Sequence, residues 1–447
     1  MQARGENKPE MLSVCKARFS DEADLQHAWN ALCPGCLLRT VARQKLVVLS
    51  PGTWNLEAGP DFKNAKFELD GRIISGDVEL HLCSSDWKRH GHERDPAYAN
   101  VILHVVADDD RESLRSEPSI PTLVLTRHKR IPLRKRLAPS GRCSAFFEGQ
   151  SPENMRKILT DAGRRRFREK SDTLLKEMLE RGSEHACLKS IFEAAGYKNN
   201  RKNFLELFSR FSEYPHKLSD NDVSAVLWGE SGLLPDPALV SLNPEMEAFI
   251  TRTWKSFWLL RKSSRQPISW LHSGARPLNS PERRIAALCG LLKIAERRPL
   301  AFCRAVARLS EPKAFWGDLR DKLIIRDALW DGHYSCLKSN GKASAVFGED
   351  KIIELMVNVL LPALHAWGRL EVKSEWSFFA ESSYLSIPAP VQNRNVKIAV
   401  QKCFAGLNKD VKVLRSAACV QGVLHLYKAY CEKAHGDCGA CLFFNSL

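Results

Sequence analysis

Asp61 follows the turn pair Gly59-Pro60, and Glu79 and His81 stand eighteen and twenty positions further on, in the run Gly76-Asp77-Val78-Glu79-Leu80-His81. Polar and apolar residues alternate along that run. On a strand the alternation places Asp77, Glu79 and His81 on one face and Val78, Leu80 and Leu82 on the other. Phosphodiester hydrolysis calls for a metal that generates hydroxide and offsets the phosphate charge, and Mg²⁺ is usually held by one or two carboxylates. Asp61 and Glu79 are therefore the expected holders of Mg²⁺ or Mn²⁺, with His81 activating the attacking water. Glu22, on the first predicted helix, completes the ring if that helix packs over the sheet. Asp77 is a further member of the face, or else only caps the strand or pairs with Arg94. The plain structural reading of Asp61 and Glu79 is a hydrated hairpin face.

Three more histidines lie close by in the sequence. His90 and His92, separated by Gly91, have a spacing that puts both rings on one side of an extended segment, where they bind a transition metal. Next to Asp86 and Asp95 the same pair also suits hydrogen-bonded loop structure. His104 interrupts the apolar run Val101 to Val106, and reads as a satisfied core histidine or as one that borders the site.

The elements that must position these residues are legible in outline. A helix runs from Ser20 or Asp21 to about Leu32, ended by Pro34-Gly35. Strands are expected over Lys45 to Ser50, Asn64 to Leu69 and Arg72 to Leu82, with Asp70-Gly71 as a hairpin turn. Ser84 to Tyr98 reads as loop and short helix, Val101 to Val106 as a buried central strand, and Pro121 to Thr126 as one more. This makes residues 1–137 an α/β domain with a mixed sheet. Residues 138–153 read as a linker, and 154–447 as a larger, basic, all-α domain. Its expected helices are Met155 to Arg181, Cys187 to Ala195, Asn203 to Tyr214, Pro244 to Leu260, Pro281 to Arg297, Leu300 to Leu309, Lys351 to Trp367 and Asn393 to Phe404.

The order helix, three strands, helix, strand, with Pro60-Asp61 followed by Glu79-Leu80-His81, resembles the PD-(D/E)XK nuclease superfamily. The resemblance implies metal binding by Asp61 and Glu79, water activation by His81, and a helix acid at Glu22. The departure is a histidine where lysine is usual. An imidazole is neutral for much of the time at pH 7, so the substitution leaves three outcomes open: a base, a metal ligand, or a dead enzyme. A longer set of strings resembles an uncharacterised bacterial family, domain of unknown function family 2851. They are Gly59-Pro60-Asp61-Phe62, Gly76 to His81, Ser84-Ser85-Asp86-Trp87, His90-Gly91-His92, Asp95-Pro96-Ala97-Tyr98 and Asn100 to Val106. That resemblance extends over nearly the whole chain, to the ending Gln421-Gly422 to Cys441, and names no reaction.

Among fourteen cysteines, only Cys431, Cys438 and Cys441 have ligand-like spacing. Cys403, His435 or the Cys33-Pro34-Gly35-Cys36 pair supplies a fourth ligand for zinc or an iron–sulfur cluster. Certain nucleases of the PD-(D/E)XK superfamily hold such a cluster between one cysteine near the N-terminus and three near the C-terminus, and the layout here is similar. Three reduced cysteines at a frayed terminus are the alternative.

Net charge is +15 with an isoelectric point near 9.2. Such an excess favours polyanions, because Lys and Arg release counterions on meeting phosphates. Two basic runs are the candidate nucleic-acid contacts: Arg130, Arg134, Lys135 and Arg136 before the linker, and Arg164, Arg165 and Arg166 in the first long helix. Each also suits a solvated face. The N-terminus lacks an apolar secretory core, and the most apolar stretch, Lys351 to Gly368, is broken by Glu354, Asn358, Pro362 and His365. A cytoplasmic protein without membrane spans is the expectation. The sequence thus predicts a metal-dependent nuclease. The rivals are an inactive nucleic-acid-binding or scaffold protein on a degenerate nuclease fold, and a hydrolase of another phosphorylated substrate that uses His90, His92 and His104.

Overall fold

A computed structural model describes residue 19 and residues 22–431, less 31, 33, 56–58, 111–119, 129–142, 144–145, 148, 198–199, 216, 237, 239–240, 263–264, 273–276, 340–341, 391–395, 397–398, 401–402 and 405–412. The chain divides into two compact units, Met1–Gly141 and Arg142–Leu447.

The first unit opens on helix α1 (Glu22–Asn30), whose Leu25 and Trp29 are fully buried. Next come strands β1 (Cys36–Arg39), β2 (Lys45–Ser50), β3 (Thr53–Trp54), β4 (Phe62–Leu69) and β5 (Arg72–Cys83). A one-turn helix α2 (Asp86–Arg89) and two 3₁₀ turns then lead to β6 (Val101–Asp108) and β7 (Thr122–Val124). Among the described residues these form a seven-stranded sheet of order β1-β2-β4-β5-β6-β7, with β3 paired to β4. The first half is an antiparallel meander, whereas β5, β6 and β7 are parallel. The β4–β5 turn uses Asp70 and Gly71, both at positive φ (48° and 84°), as a tight hairpin of this twist requires.

Strand β1 was not expected. Its four residues alternate buried and exposed, but so short a run gives too few periods to read. Strand β5 carries the chemistry. From Gly76 to His81 it is buried on both faces, so the polar face is not a hydrated one. Gly76 has no room for a side chain, because an added Cβ would lie 2.5 Å from Ile102 Cγ2 and 2.7 Å from the Asn100 carbonyl oxygen. A β-bulge interrupts β4 between Phe62 and Ala65, with Asn64 at φ 56°.

The second unit is helical. Its helices are α3 (Pro152–Arg181), α4 (Ser183–Ala195), α5 (Arg201–Phe211), α6 (Asp220–Ser231), α7 (Pro244–Leu260), α8 (Pro281–Ile294), α9 (Pro299–Ala307) and α10 (Phe315–Leu323). A small hairpin, β8 (His333–Ser335) and β9 (Lys338–Ser339), precedes α11 (Glu349–Leu355). A π-helical turn (Met356–Leu360) separates α11 from α12 (Leu361–Leu370), and α13 (Ser374–Ser386) follows. The last described elements are α14 (Ala417–Leu426) and a second π turn (Tyr427–Cys431). Ser151 caps α3, its hydroxyl accepting from the Asn154 N–H at 3.1 Å, with Pro152 at the first helical position, where its missing N–H costs nothing. Cys143 and Phe147, inside the stretch read as a linker, are buried in a core with Met155, Leu159 and Val423. Most of the helix expected over Asn393 to Phe404 lies outside the described residues. No helix among the described residues is long and apolar enough to cross a membrane.

Candidate metal centre

Asp61 and Glu79 meet. The Asp61 N–H donates to Glu79 Oε2 at 2.9 Å, and the Leu80 N–H donates to Asp61 Oδ2 at 3.2 Å. The two acids thus interlock where β4 begins beside the middle of β5. Both are buried, at 7% and 6% exposure. Glu79 Oε2 is held by backbone, and Glu79 Oε1 faces a cluster of rings. It lies 3.5 Å from His81 Nε2 and 3.5 Å from His92 Nε2.

That cluster gathers all four histidines of the segment. His81 Nε2 is 3.2 Å from His90 Nδ1, and His81 Nδ1 is 2.9 Å from His104 Nε2. His81, His90 and His92 each present a ring nitrogen within 4.8 Å of the others. Donors bound at about 2.0–2.1 Å around a tetrahedral ion stand about 3.3 Å from one another. The separations of 3.2 Å between His90 Nδ1 and His81 Nε2, and of 3.5 Å from Glu79 Oε1 to His81 Nε2 and to His92 Nε2, are close to that spacing. His92 Nε2 is buried yet has no hydrogen-bond partner among the described residues. A buried nitrogen without a partner is costly, and an ion on its lone pair removes the cost. The residues present therefore fit a divalent transition metal.

Burial pushes the His81 pKa down to about 2, with further lowering from His104, His92, His90 and Arg89. Burial, then His90, pushes His92 down to about 4 against the raising effect of Asp95. Both rings are neutral at pH 7 and keep a lone pair to donate. His104 orients the His81 ring through the 2.9 Å contact at Nδ1, and in the tautomer with the proton on Nδ1 the lone pair for an ion is at Nε2.

Local sequence explains the convergence. His90-Gly91-His92 is not extended; it lies in the loop and short-helix stretch expected over Ser84 to Tyr98. His90 follows α2, Gly91 turns the backbone at φ 73°, and His92 opens a 3₁₀ turn. This left-handed turn, which glycine adopts without strain, brings both rings to His81. Tyr98 lies over His92 with ring centroids 3.8 Å apart, and Trp87 walls His92 and His104 at 5.4 and 5.2 Å. No role for Trp87 or Tyr98 was expected; their one signal was membership of the strings read as family-specific. Ser84, Ser85 and Asp110 tie the loop down, with Asp110 accepting from both hydroxyls and from the Ser85 N–H.

The remaining candidates fall elsewhere. Asp77 Oδ1 accepts from the Asn64 N–H at 3.1 Å and so satisfies the donor exposed by the β4 bulge; Asp77 shapes the strand instead of joining the cluster. Glu22 opens α1, which packs on β5, and is half-buried. Arg164 pairs with Asp161 (3.2 Å) and Glu381 (3.4 Å), Arg166 Nε donates to Gln421 Oε1 at 2.8 Å, and Arg165 is exposed. Arg164 is thus paired with carboxylates. Arg130, Arg134, Lys135 and Arg136 lie outside the described residues. So do Cys33, His435, Cys438 and Cys441, and Cys431 is described in backbone alone. Cys36 and Cys403 are buried in apolar cores.

A family described as a protein of unknown function, DUF2851, matches residues 22–390. The chain belongs to that family. The match takes in every residue of the histidine cluster and ends well before Cys431, so it is shorter than the resemblance read from the sequence. No curated protein matches the chain, and no solved structure does.

Proposed function

We propose that the first unit is a metal-dependent hydrolase that cleaves phosphodiester bonds of nucleic acid. The observation that carries the reading is the convergence of His81, His90 and His92, whose ring nitrogens all lie within 4.8 Å of one another, with Glu79 Oε1 3.5 Å from both His81 Nε2 and His92 Nε2. A helix, an antiparallel meander and a parallel strand beyond it, with Asp61 entering one strand and Glu79 on the next, agree with the PD-(D/E)XK arrangement. The net charge of +15 favours a polyanionic substrate.

Three imidazoles and one carboxylate suit Zn²⁺, Mn²⁺ or Fe²⁺ better than Mg²⁺, which takes oxygen donors. A divalent ion held there would supply Lewis acidity toward a phosphoryl oxygen and lower the pKa of a bound water. The protein's own part is orientation. Asp61 fixes the Glu79 carboxylate through its N–H, and His104 orients the His81 ring at Nδ1. Both His81 nitrogens are engaged and the ring is 2% exposed, which gives His81 the role of a ligand instead of a base. His90, at the solvent edge, marks the side on which substrate approaches.

The test is metal analysis of the purified protein, followed by incubation with labelled single- and double-stranded DNA and RNA in Mn²⁺, Zn²⁺ or Mg²⁺. Cleavage is expected with Mn²⁺ or Zn²⁺, falling at least about 100-fold in Glu79→Gln and in His92→Ala. Cleavage that survives both substitutions rejects the site. Binding without cleavage supports the rival reading of an inactive nucleic-acid-binding protein.

A further inference from the structure

We infer that the helical unit holds a second, separate site: a pocket for a small phosphomonoester of nucleotide size. The pocket has a volume of about 550 Å³ and lies among α3, α4, α8, the Met356–Leu360 turn and α14. That volume falls within the range of small-molecule sites.

Its charge is unbalanced. Among the described residues, six cations line it, Arg166, Lys170, Arg201, Arg284, Lys351 and Lys428, against two carboxylates, Glu193 and Glu354. Each carboxylate is already taken by a cation of its own. Arg201 pairs with Glu193, and Lys351 Nζ donates to Glu354 Oε2 at 2.9 Å. Lys170 and Arg284 meet neutral acceptors. Arg166 Nε and Lys170 Nζ both donate to Gln421 Oε1, at 2.8 and 3.0 Å, and Lys170 also reaches Asn358 Oδ1. Arg284, 5% exposed, donates to the Tyr197 hydroxyl at 2.7 Å, while its Nε is buried with no hydrogen-bond partner among the described residues.

Amide oxygens satisfy hydrogen bonds but do not cancel charge. Burial, and then the nearby Arg166 and Lys428, drive the Lys170 pKa well below its ordinary value, with only Glu169 opposing. Gathering like charges out of water is unfavourable. A dianionic phosphate reverses that balance, because hydrogen bonds from cations to a phosphate are charge-assisted. The rest of the wall is apolar, including Leu174, Leu288, Leu291 and Val357, and suits the body of such a ligand. Both π turns contribute, Asn358 from one and Lys428 from the other. Such turns recur at functional sites because they re-aim side chains out of helical register.

The experiment is calorimetric titration of the full chain with a nucleoside 5′-monophosphate, the same nucleoside without phosphate, and a 5′-phosphorylated oligonucleotide. Binding of the monophosphate at one per chain is expected, with the nucleoside at least about tenfold weaker. Lys170→Met is expected to weaken the monophosphate at least about tenfold. Melting of the same variant without ligand separates ligand binding from structure. A group retained for a ligand leaves the melting temperature unchanged or raised when it is removed, since a buried cation is lost. No binding of the monophosphate, equal binding by Lys170→Met, or binding of the oligonucleotide alone would overturn the proposal. A Lys170→Met melting temperature that falls, with binding intact, would also overturn it.

Discussion

Glu79 divides its two oxygens between tasks: Oε2 accepts from the Asp61 backbone and Oε1 faces His81 and His92. Asp77, two residues earlier on the same face, serves the bulge instead. Residue type and alternation suggested both as candidates, and only the partners of each separate them. A buried histidine of the helical unit gives a prediction at this scale. His365 packs in the helical unit with Nδ1 2.7 Å from Ser171 Oγ, and burial, ahead of Arg369 and Arg168, holds its pKa below the usual value of about 6.5. The unfolded chain therefore takes up a proton first as pH falls. Stability is flat above about pH 6.5 and declines below it, by up to about 1.4 kcal/mol per pH unit for each such proton. Urea unfolding at pH 7.5, 6.5 and 5.5 is expected to show a shallower decline in His365→Gln than in the parent. An identical decline would mean that His365 protonates as readily in the folded state.

At the scale of elements, two glycines decide how α3 and α14 cross. An added Cβ on Gly422 would lie 1.9 Å from the Leu159 carbonyl oxygen, and one on Gly163 would lie 2.2 Å from that of Ala418. Both obstacles are backbone and cannot rotate away. Gly422→Ala is expected to destabilise by about 2–3 kcal/mol, read as a lower denaturant midpoint; a midpoint within error of the parent would show that the helices separate freely. Helix boundaries followed apolar periodicity well for α7, which spans Pro244–Leu260 as expected. Periodicity failed for α14. All ten of its residues are buried, and a helix covered on every side has no polar face to give a period. The stretch read as one helix from Lys351 to Trp367 contains a π turn, because one extra residue in a helical register leaves no mark on composition.

For the whole molecule, charge is the property that composition states outright. With a net +15, nucleic-acid affinity is expected to fall at least tenfold between about 50 and 200 mM salt, measured by fluorescence anisotropy, since each phosphate contact releases a counterion. A salt-insensitive affinity would detach the basic surface from binding. The sequence alone determined the mixed α/β character of the first part, the helical character of the rest, the hairpin at Asp70-Gly71 and the residue types available for metal chemistry. These are local matters, fixed by periodicity, turn residues and side-chain pKa. Tertiary structure decided which of those residues meet. A parallel strand brought His104 to His81, a left-handed Gly91 folded His90 and His92 onto the same point, and a bulge drew Asp77 away. Such contacts depend on register and crossover geometry, where a shift of one residue moves a side chain to the opposite face, and no single stretch of sequence encodes them.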